Sequence, residues 1–360
     1  MRTKKISPVS FKDEQLLILD QTLLPGKEMY IELKNSEDVW NAIKSLQVRG
    51  APAIGVTAAY GLYISLIGSK TESFSEFLNN FNYVKTYLAG ARPTAVNLCW
   101  ALGRLEKRLM SLLEDRDYTC FFSQSDKSEI LRELLNEAEN IRREEEQASL
   151  AMGELGLSLL QSGMGILTHC NAGALAGVGY GTALSPVYLG QERGYSFKLF
   201  ADETRPLLQG ARLTAWELMN IGADVTLICD NMAAAAMRNG WIQAVLTGCD
   251  RMSRNGDAAN KIGTLGAAIL AKEHNIPFYI FVPSSTIDMN IESGGGIPIE
   301  LRDENEISRL WYEKPMAPEG IKIWNPAFDI TDHQYITAII TEKGIVRPPF
   351  DTGLQQLFTA

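Results

Sequence analysis

The chain has 360 residues, too many for one ordinary core, because chains beyond about 250 to 300 residues divide into domains of about 100 to 200. Hydrophobic residues at 46%, charged residues at 21% and a mean hydropathy of -0.07 describe a water-soluble globular protein and exclude disorder for most of the chain. A formal net charge of -9 supplies no basic field and no local basic patch is visible, which excludes nucleic acid and membrane as partners but not a small anion held by a few cations.

The N-terminus carries Arg2, Lys4 and Lys5, but its apolar run Leu16-Leu17-Ile18-Leu19 is too short for a signal segment. No later stretch approaches the roughly 20 apolar residues of a membrane span. Residues Phe11 to Leu19 and Glu28 to Leu33 read as strands of a β meander, separated by the turn Leu24-Pro25-Gly26-Lys27. Ser36 is the expected N-cap of a helix through Leu46. Three further helical patterns follow, the last from Pro93 to Leu113, with Pro93 in its first turn. From Ser128 the apolar positions Leu131, Leu134, Ala138, Ile141, Ala148, Met152, Leu155 and Leu159 recur at helical spacing. They predict one long connecting helix whose charged middle, Arg142 to Glu146, is a solvated face.

Beyond Gly163 short apolar runs alternate with helical patterns: Met164 to His169, Phe197 to Ala201, Asp224 to Cys229, Ala244 to Cys249 and Pro277 to Val282. Repeated strand–helix–strand units predict a parallel sheet. The expected fold is α/β. Residues 1–145 form a mainly helical N-terminal domain with a small antiparallel sheet and the connecting helix, and residues 146–360 a Rossmann-like parallel-sheet domain.

Ligands of such sheets bind just outside the carboxyl ends of the strands. Those ends carry His169-Cys170-Asn171, Asp202-Glu203-Thr204-Arg205, Asp230-Asn231, Cys249-Asp250-Arg251 and Ser284-Ser285-Thr286. Cys170 precedes the small-residue run Asn171-Ala172-Gly173-Ala174, which should open a helix whose N-terminus would lower the thiol pKa; the alternative is a small buried hydrophobe. His169 does not form a local dyad with it, since neighbours on a strand face opposite ways, and reads as a structural hydrogen-bonding histidine. Asp250, at the mouth of an apolar strand, suits a general acid or merely caps its loop. Lys261, beside a helix N-terminus, suits an anion, although surface lysines are commoner. In Val48 to Gly55 a turn leads into a helix with Pro52 in its first turn, where amides and Arg49 can meet a phosphate.

Other signals are weaker. The run Gly173 to Gly181 lacks the dinucleotide-binding spacing, and Asp202, Asp230, Asp250 and Asp257 have no metal-ligand spacing. The five cysteines (Cys99, Cys120, Cys170, Cys229 and Cys249) are odd in number and lack any CxxC pair, as expected for reduced thiols in a cytoplasmic protein without a zinc site.

Together Arg49-Gly50-Ala51-Pro52-Ala53-Ile54-Gly55, Thr168-His169-Cys170-Asn171, Glu203 to Thr214 and Asn255 to Thr264 closely resemble the methylthioribose-1-phosphate isomerase family, from about Tyr30 to Pro348. Ile297-Pro298-Ile299-Glu300 and Asn325-Pro326-Ala327-Phe328-Asp329 continue the match in order. That family shares its fold with regulatory subunits of translation initiation factor 2B and with ribose-1,5-bisphosphate isomerases. The resemblance implies an aldose–ketose isomerase of methionine salvage, acting on 5-methylthioribose 1-phosphate without metal or organic cofactor. It makes Asp250 the proton donor and Cys170 its partner in transfer between C1 and C2. Arg49, Gly50, Ala51, Arg92, Gln209, Asn260 and Lys261 become substrate contacts, and the protein a homodimer. Two departures concern the shape of the pocket: Ala172 stands where many relatives have threonine, and Gly294-Gly295-Gly296 replaces a loop often holding acidic residues. The alternatives are an isomerase of 5-deoxyribose 1-phosphate or ribose 1,5-bisphosphate, and a non-catalytic regulatory subunit.

Overall fold

The computed structural model describes residues 6–71, 73–92, 96–114 and 122–359; Arg2, Lys4, Lys5, Pro93 and Cys120, named above, lie outside them. The chain forms two compact units. One comprises 6–147 with 174–179, the other 148–173 with 180–360.

The first unit opens with strands β1 (Val9–Lys12), β2 (Gln15–Leu19) and β3 (Tyr30–Leu33) in an antiparallel sheet. The single strand expected from Phe11 to Leu19 is a hairpin: Lys12 pairs with Gln15, and Asp13 and Glu14 between them both have positive φ. Such a two-residue turn usually uses Asn or Gly, so Asp-Glu gave little signal. Helices α1 (Ser36–Lys44), α2 (Ala51–Ile67), α3 (Phe74–Ala89) and α4 (Val96–Glu114) follow. The N-cap of α1 is Asn35, whose side-chain oxygen accepts the Asp38 N–H at 2.9 Å, and Ser36 begins the helix.

Helix α2 has no charged residue in 17 positions and is buried nearly all round, as a helix apolar on every face must be. Its small residues admit its neighbours. A Cβ on Gly61 would lie 2.7 Å from a Val39 methyl on α1, and one on Gly55 would lie 3.0 Å from the Asn97 carbonyl on α4. Helix α5 (Gln124–Leu157) is the expected long helix, burying Ile130, Leu134, Ala138 and Ile141 as one stripe. Beside that stripe Arg104 and Arg108 of α4 pair with Glu137 and Glu133, each at 2.5 Å. Its charged middle is only partly solvated, for Arg143 and Glu144 are exposed while Glu145 is buried.

The second unit is built on a seven-stranded sheet. Strands β4 (Gly165–Thr168), β5 (Lys198–Asp202), β6 (Asp224–Ile228) and β7 (Ala244–Thr247) match four expected runs. The next two, β8 (Arg251–Ser253) and β9 (Ala258–Lys261), leave this sheet; β10 (Phe278–Phe281) is the fifth expected run. Strands β11 (Ile287–Asp288) and β12 (Phe328–Thr331) join β8 and β9 in a four-stranded sheet of order β11-β8-β9-β12. Finally β13 (Ala338–Thr341) and β14 (Gly344–Val346) complete the main sheet, whose order is β14-β13-β10-β7-β4-β5-β6. All neighbours are parallel except the edge pair β13–β14. The parallel strands therefore run in the order 3-2-1-4-5-6 of a doubly wound sheet.

Helices α6 (Ser185–Glu192), α7 (Ala215–Asn220), α8 (Ala233–Arg238) and α9 (Thr264–Glu273) connect the strands, and α10 (Asn305–Ser308) and α11 (Phe350–Thr359) follow. No helix among the described residues is long and apolar enough to cross a membrane.

Candidate active site

In a doubly wound sheet the strand order reverses at one place, and the connections leaving its two strands diverge to opposite faces and open a crevice. Here that place lies between β4 and β7, hydrogen-bonded with Thr168 opposite Leu246. Two residues past β4 is Cys170, and three past β7 is Asp250. The two segments touch, since a Cβ added to Gly248 would lie 2.9 Å from that of Ala172.

The Cys170 backbone is held in the left-handed region at φ 66, which a residue with a Cβ visits at a cost of about 1 to 3 kcal/mol. Its N–H donates to Thr204 Oγ1 at 2.8 Å, and its carbonyl accepts from Thr214 Oγ1 at 2.6 Å. Asn171 Nδ2 donates to Glu217 Oε1 at 2.6 Å and to Thr214 Oγ1 at 3.1 Å. The residues after Cys170 do not open an α-helix. Ala174–Ala176 form one 3-10 turn, and α6 begins only at Ser185, so the segment after Cys170 brings no α-helix N-terminus to the thiol. Its environment instead comes from burial and this hydrogen-bonded cradle.

Gln209 lies next to Gly210–Thr214, a π-helical turn that runs into α7. The Gln209 side chain is buried and its Oε1 has no hydrogen-bond partner among the described residues, an acceptor suited to a sugar hydroxyl. Asp250 donates its N–H to the Ala259 carbonyl at 2.9 Å, continuing the antiparallel β8–β9 ladder toward Asn260. Asn260 and Lys261 are the last residues of β9, and α9 starts at Thr264. Both are buried, and Asn260 Nδ2 donates to Thr264 Oγ1 at 3.0 Å. The Lys261 ammonium lies 4.8 Å from the centre of the Phe328 ring, in place of the solvated position common for lysine.

His169 is almost fully buried, with Nδ1 3.0 Å from Asp202 Oδ2 and Nε2 2.9 Å from the Ile262 carbonyl. Burial alone would discourage a charged imidazole, but Asp202, with Asp230 nearby, raises its affinity for the proton above the ordinary. Asp230 accepts the N–H groups of Thr204 at 2.7 Å and Arg205 at 2.8 Å. Ligand-type atoms of His169, Asp202 and Asp230 lie within 4.8 Å of one another. A cation there would have to displace the His169 bond to Asp202 or the one to Ile262, so this donor set does not suit a metal as it stands.

In the helical unit Gly50 is the N-cap of α2 and Ala51 its first residue. Arg49 is half-buried, and so is Arg92, shortly before α4. Because Gly55 meets Asn97, α2 and α4 cross near their starts and bring Arg49, Gly50, Ala51 and Arg92 to one end of this unit. The turn Ala174–Ala176 packs there too, for a Cβ on Gly50 would lie 2.1 Å from the Ala176 carbonyl oxygen.

Residues 47–348 match the model of the initiation factor 2 subunit family. The chain belongs to that family. A methylthioribose-1-phosphate isomerase of Symbiobacterium thermophilum is 58% identical over 99% of this chain and 97% of its own length. A 5-deoxyribose 1-phosphate isomerase of Petrotoga mobilis is 54% identical over 98% of this chain and 99% of its own. The crystal structure of 5-methylthioribose 1-phosphate isomerase from Pyrococcus horikoshii superposes with a TM-score of 0.89 at 44% identity, covering 99% of this chain and 97% of that one.

One buried acid of this family member was not singled out in the sequence. Glu217 is fully buried on α7 and accepts hydrogen bonds from Asn171 and from the Tyr188 hydroxyl, at 2.6 and 3.1 Å. Its only sequence signal is one acid within the short run Ala215 to Asn220, and the π-turn that aims it at Asn171 cannot be read from spacing.

Proposed function

We propose that the protein is an aldose–ketose isomerase that converts 5-methylthioribose 1-phosphate to 5-methylthioribulose 1-phosphate. One observation carries the reading: Cys170 and Asp250 leave the carboxyl ends of the two strands flanking the switch point. The relatives bearing the isomerase names add to it. A sugar phosphorylated at C1 is locked as a ring and cannot open spontaneously to an aldehyde. Asp250 donates a proton to the ring oxygen as the C1–O bond breaks. Cys170 serves the transfer of hydrogen from C2 to C1, and the C2 hydroxyl proton returns to Asp250 as the ketone forms, so the product is an isomer and no redox partner is consumed. A site closed to water strengthens the fixed charges that do this work. Asn260, Lys261 and Gln209 are assigned to hold the sugar phosphate. Arg49, Gly50, Ala51 and Arg92, at one end of the helical unit, are assigned the same task from the family resemblance.

The second reading, a 5-deoxyribose 1-phosphate isomerase, is favoured by the 54% identical relative of that name. The test is ketose formation from the 5-methylthio, 5-deoxy and 5-phospho sugars, with kcat/KM expected to fall in that order. An apolar group of this size discriminates by about 10- to 200-fold, and a dianion against apolar walls fares worse. If the 5-deoxy sugar ranked first, the second reading would replace the first.

A cytoplasmic homodimer completes the proposal. Met219, Leu227, Met232 and Trp241, on and beside the edge strand β6, are apolar and exposed, a suitable surface for a second copy. A sedimentation mass near the 39.8 kDa of one chain would defeat it.

A further inference from the structure

His169 takes no step in this scheme, yet it is the link between two of its parts. The ring belongs to the residue before Cys170, and its Nε2 reaches the carbonyl of Ile262, the residue after Lys261, at 2.9 Å. A carbonyl only accepts, so Nε2 carries a hydrogen. On the other side Nδ1 meets Asp202 Oδ2 at 3.0 Å. The turn beyond Lys261 is shaped to the ring. Ile262 N–H donates to the Ala327 carbonyl at 3.1 Å, and Gly263 N–H donates to Asp329 at 2.8 Å. Gly263 itself is left-handed at φ 104, and a Cβ there would lie 2.7 Å from His169 Cε1. Nothing larger than glycine fits against the imidazole.

We propose that His169 is a positioning residue, a bridge anchored on Asp202 that holds the Lys261–Gly263 turn in register with the Cys170 strand end. The inference rests on the isomerase reading for what Lys261 and Cys170 do, and on geometry alone for the bridge. Glutamine at 169 can extend its amide toward the Ile262 carbonyl, whereas asparagine reaches only as far as Asp202.

The experiment uses the full chain. His169→Asn should raise KM for methylthioribose 1-phosphate by about 10-fold or more, with a smaller change in kcat, because the turn bearing the phosphate ligand loses its anchor. His169→Gln should recover KM to within about threefold. Added to Lys261→Ala, His169→Asn should raise KM no further, since residues acting through one contact are not additive. Equal effects of Asn and Gln, or effects that multiply in the double variant, overturn the proposal. Should His169→Asn fail to fold, Gly263→Ala displaces the ring from the other side with His169 intact, and an unchanged KM there overturns it equally. The bridge is also read without activity. Wild type should show downfield imidazole N–H proton signals that vanish in His169→Gln, and their absence from wild type overturns the bridge. Wild type that turns over none of the three sugars while showing those signals overturns the isomerase reading and leaves the bridge standing.

Discussion

Gly248 faces Ala172 so closely that a Cβ on the glycine would lie 2.9 Å from the Cβ of the alanine. This contact joins the segment that carries Asp250 to the one that carries Cys170. Gly248→Ala should therefore push the two segments apart, lowering stability by about 1 to 3 kcal/mol and turnover with it. Pairing it with Ala172→Gly should restore both. Thermal unfolding and kcat of the single and double variants check this, and a double variant no better than the single would show that the crowding is elsewhere.

Cys170→Ser and Asp250→Asn are each close in size to the native residue, so the fold should survive, as circular dichroism would record. Turnover should fall by about 10²- to 10⁴-fold, the usual contribution of a positioned acid or base. Activity of either variant near that of wild type would remove its assigned role.

Much of this architecture was readable because its signals are local. Runs such as Gly165–Thr168 and Ala244–Thr247 are buried at every position and apolar up to a final threonine, as expected of strands covered on both faces. The strand ends that deliver Cys170 and Asp250 followed from the same runs. What escaped depends on geometry that spacing does not encode. The Asp13-Glu14 hairpin uses left-handed residues that are not glycine. The short strands β8 and β9 follow Asp250 in a stretch that reads as a loop, so Asn260 and Lys261 stand just before a helix, as expected, but on the end of a strand that was not. The cradle of Cys170 could not be foreseen either. Its partners Thr204 and Thr214 are 34 and 44 positions further along the chain, Glu217 is 46 beyond the Asn171 that it holds, and Thr214 and Glu217 are aimed by a π-turn.

Lys261 is buried beside an aromatic ring, where little water screens its ammonium charge and an anion gains most from it. Lys261→Met retains the stem over Phe328 while removing the charge. Binding of the sugar phosphate should weaken by about 10- to 150-fold, the value of a hydrogen bond to a charged group. Calorimetry on the Asp250→Asn background measures it. An unchanged Kd would put the phosphate elsewhere.

Asp257 offers a test that depends on pH. Burial would raise its carboxyl, but the N–H groups of Gly294 and His333, the Asn255 amide and the His333 ring hold it below the ordinary value. The oxygens accept these four at 2.7 to 2.9 Å, tying the Gly294–Gly296 turn and the residues after β12 to the β8–β9 loop. A carboxyl whose pKa is lower in the folded state contributes stability that is complete above the unfolded value of about 3.9 and is lost as pH falls through the folded value. Asp257→Asn should thus be less stable than wild type at pH 7 by about 1 to 3 kcal/mol. The deficit should hold down to about pH 5 and narrow below about pH 4, as wild type itself takes up the proton. Urea unfolding of both proteins at pH 7, 5 and 3 measures the difference directly. A deficit that stayed constant to the lowest pH would mean that the asparagine loses packing and hydrogen-bond geometry, and that the charge of Asp257 does not hold the turn.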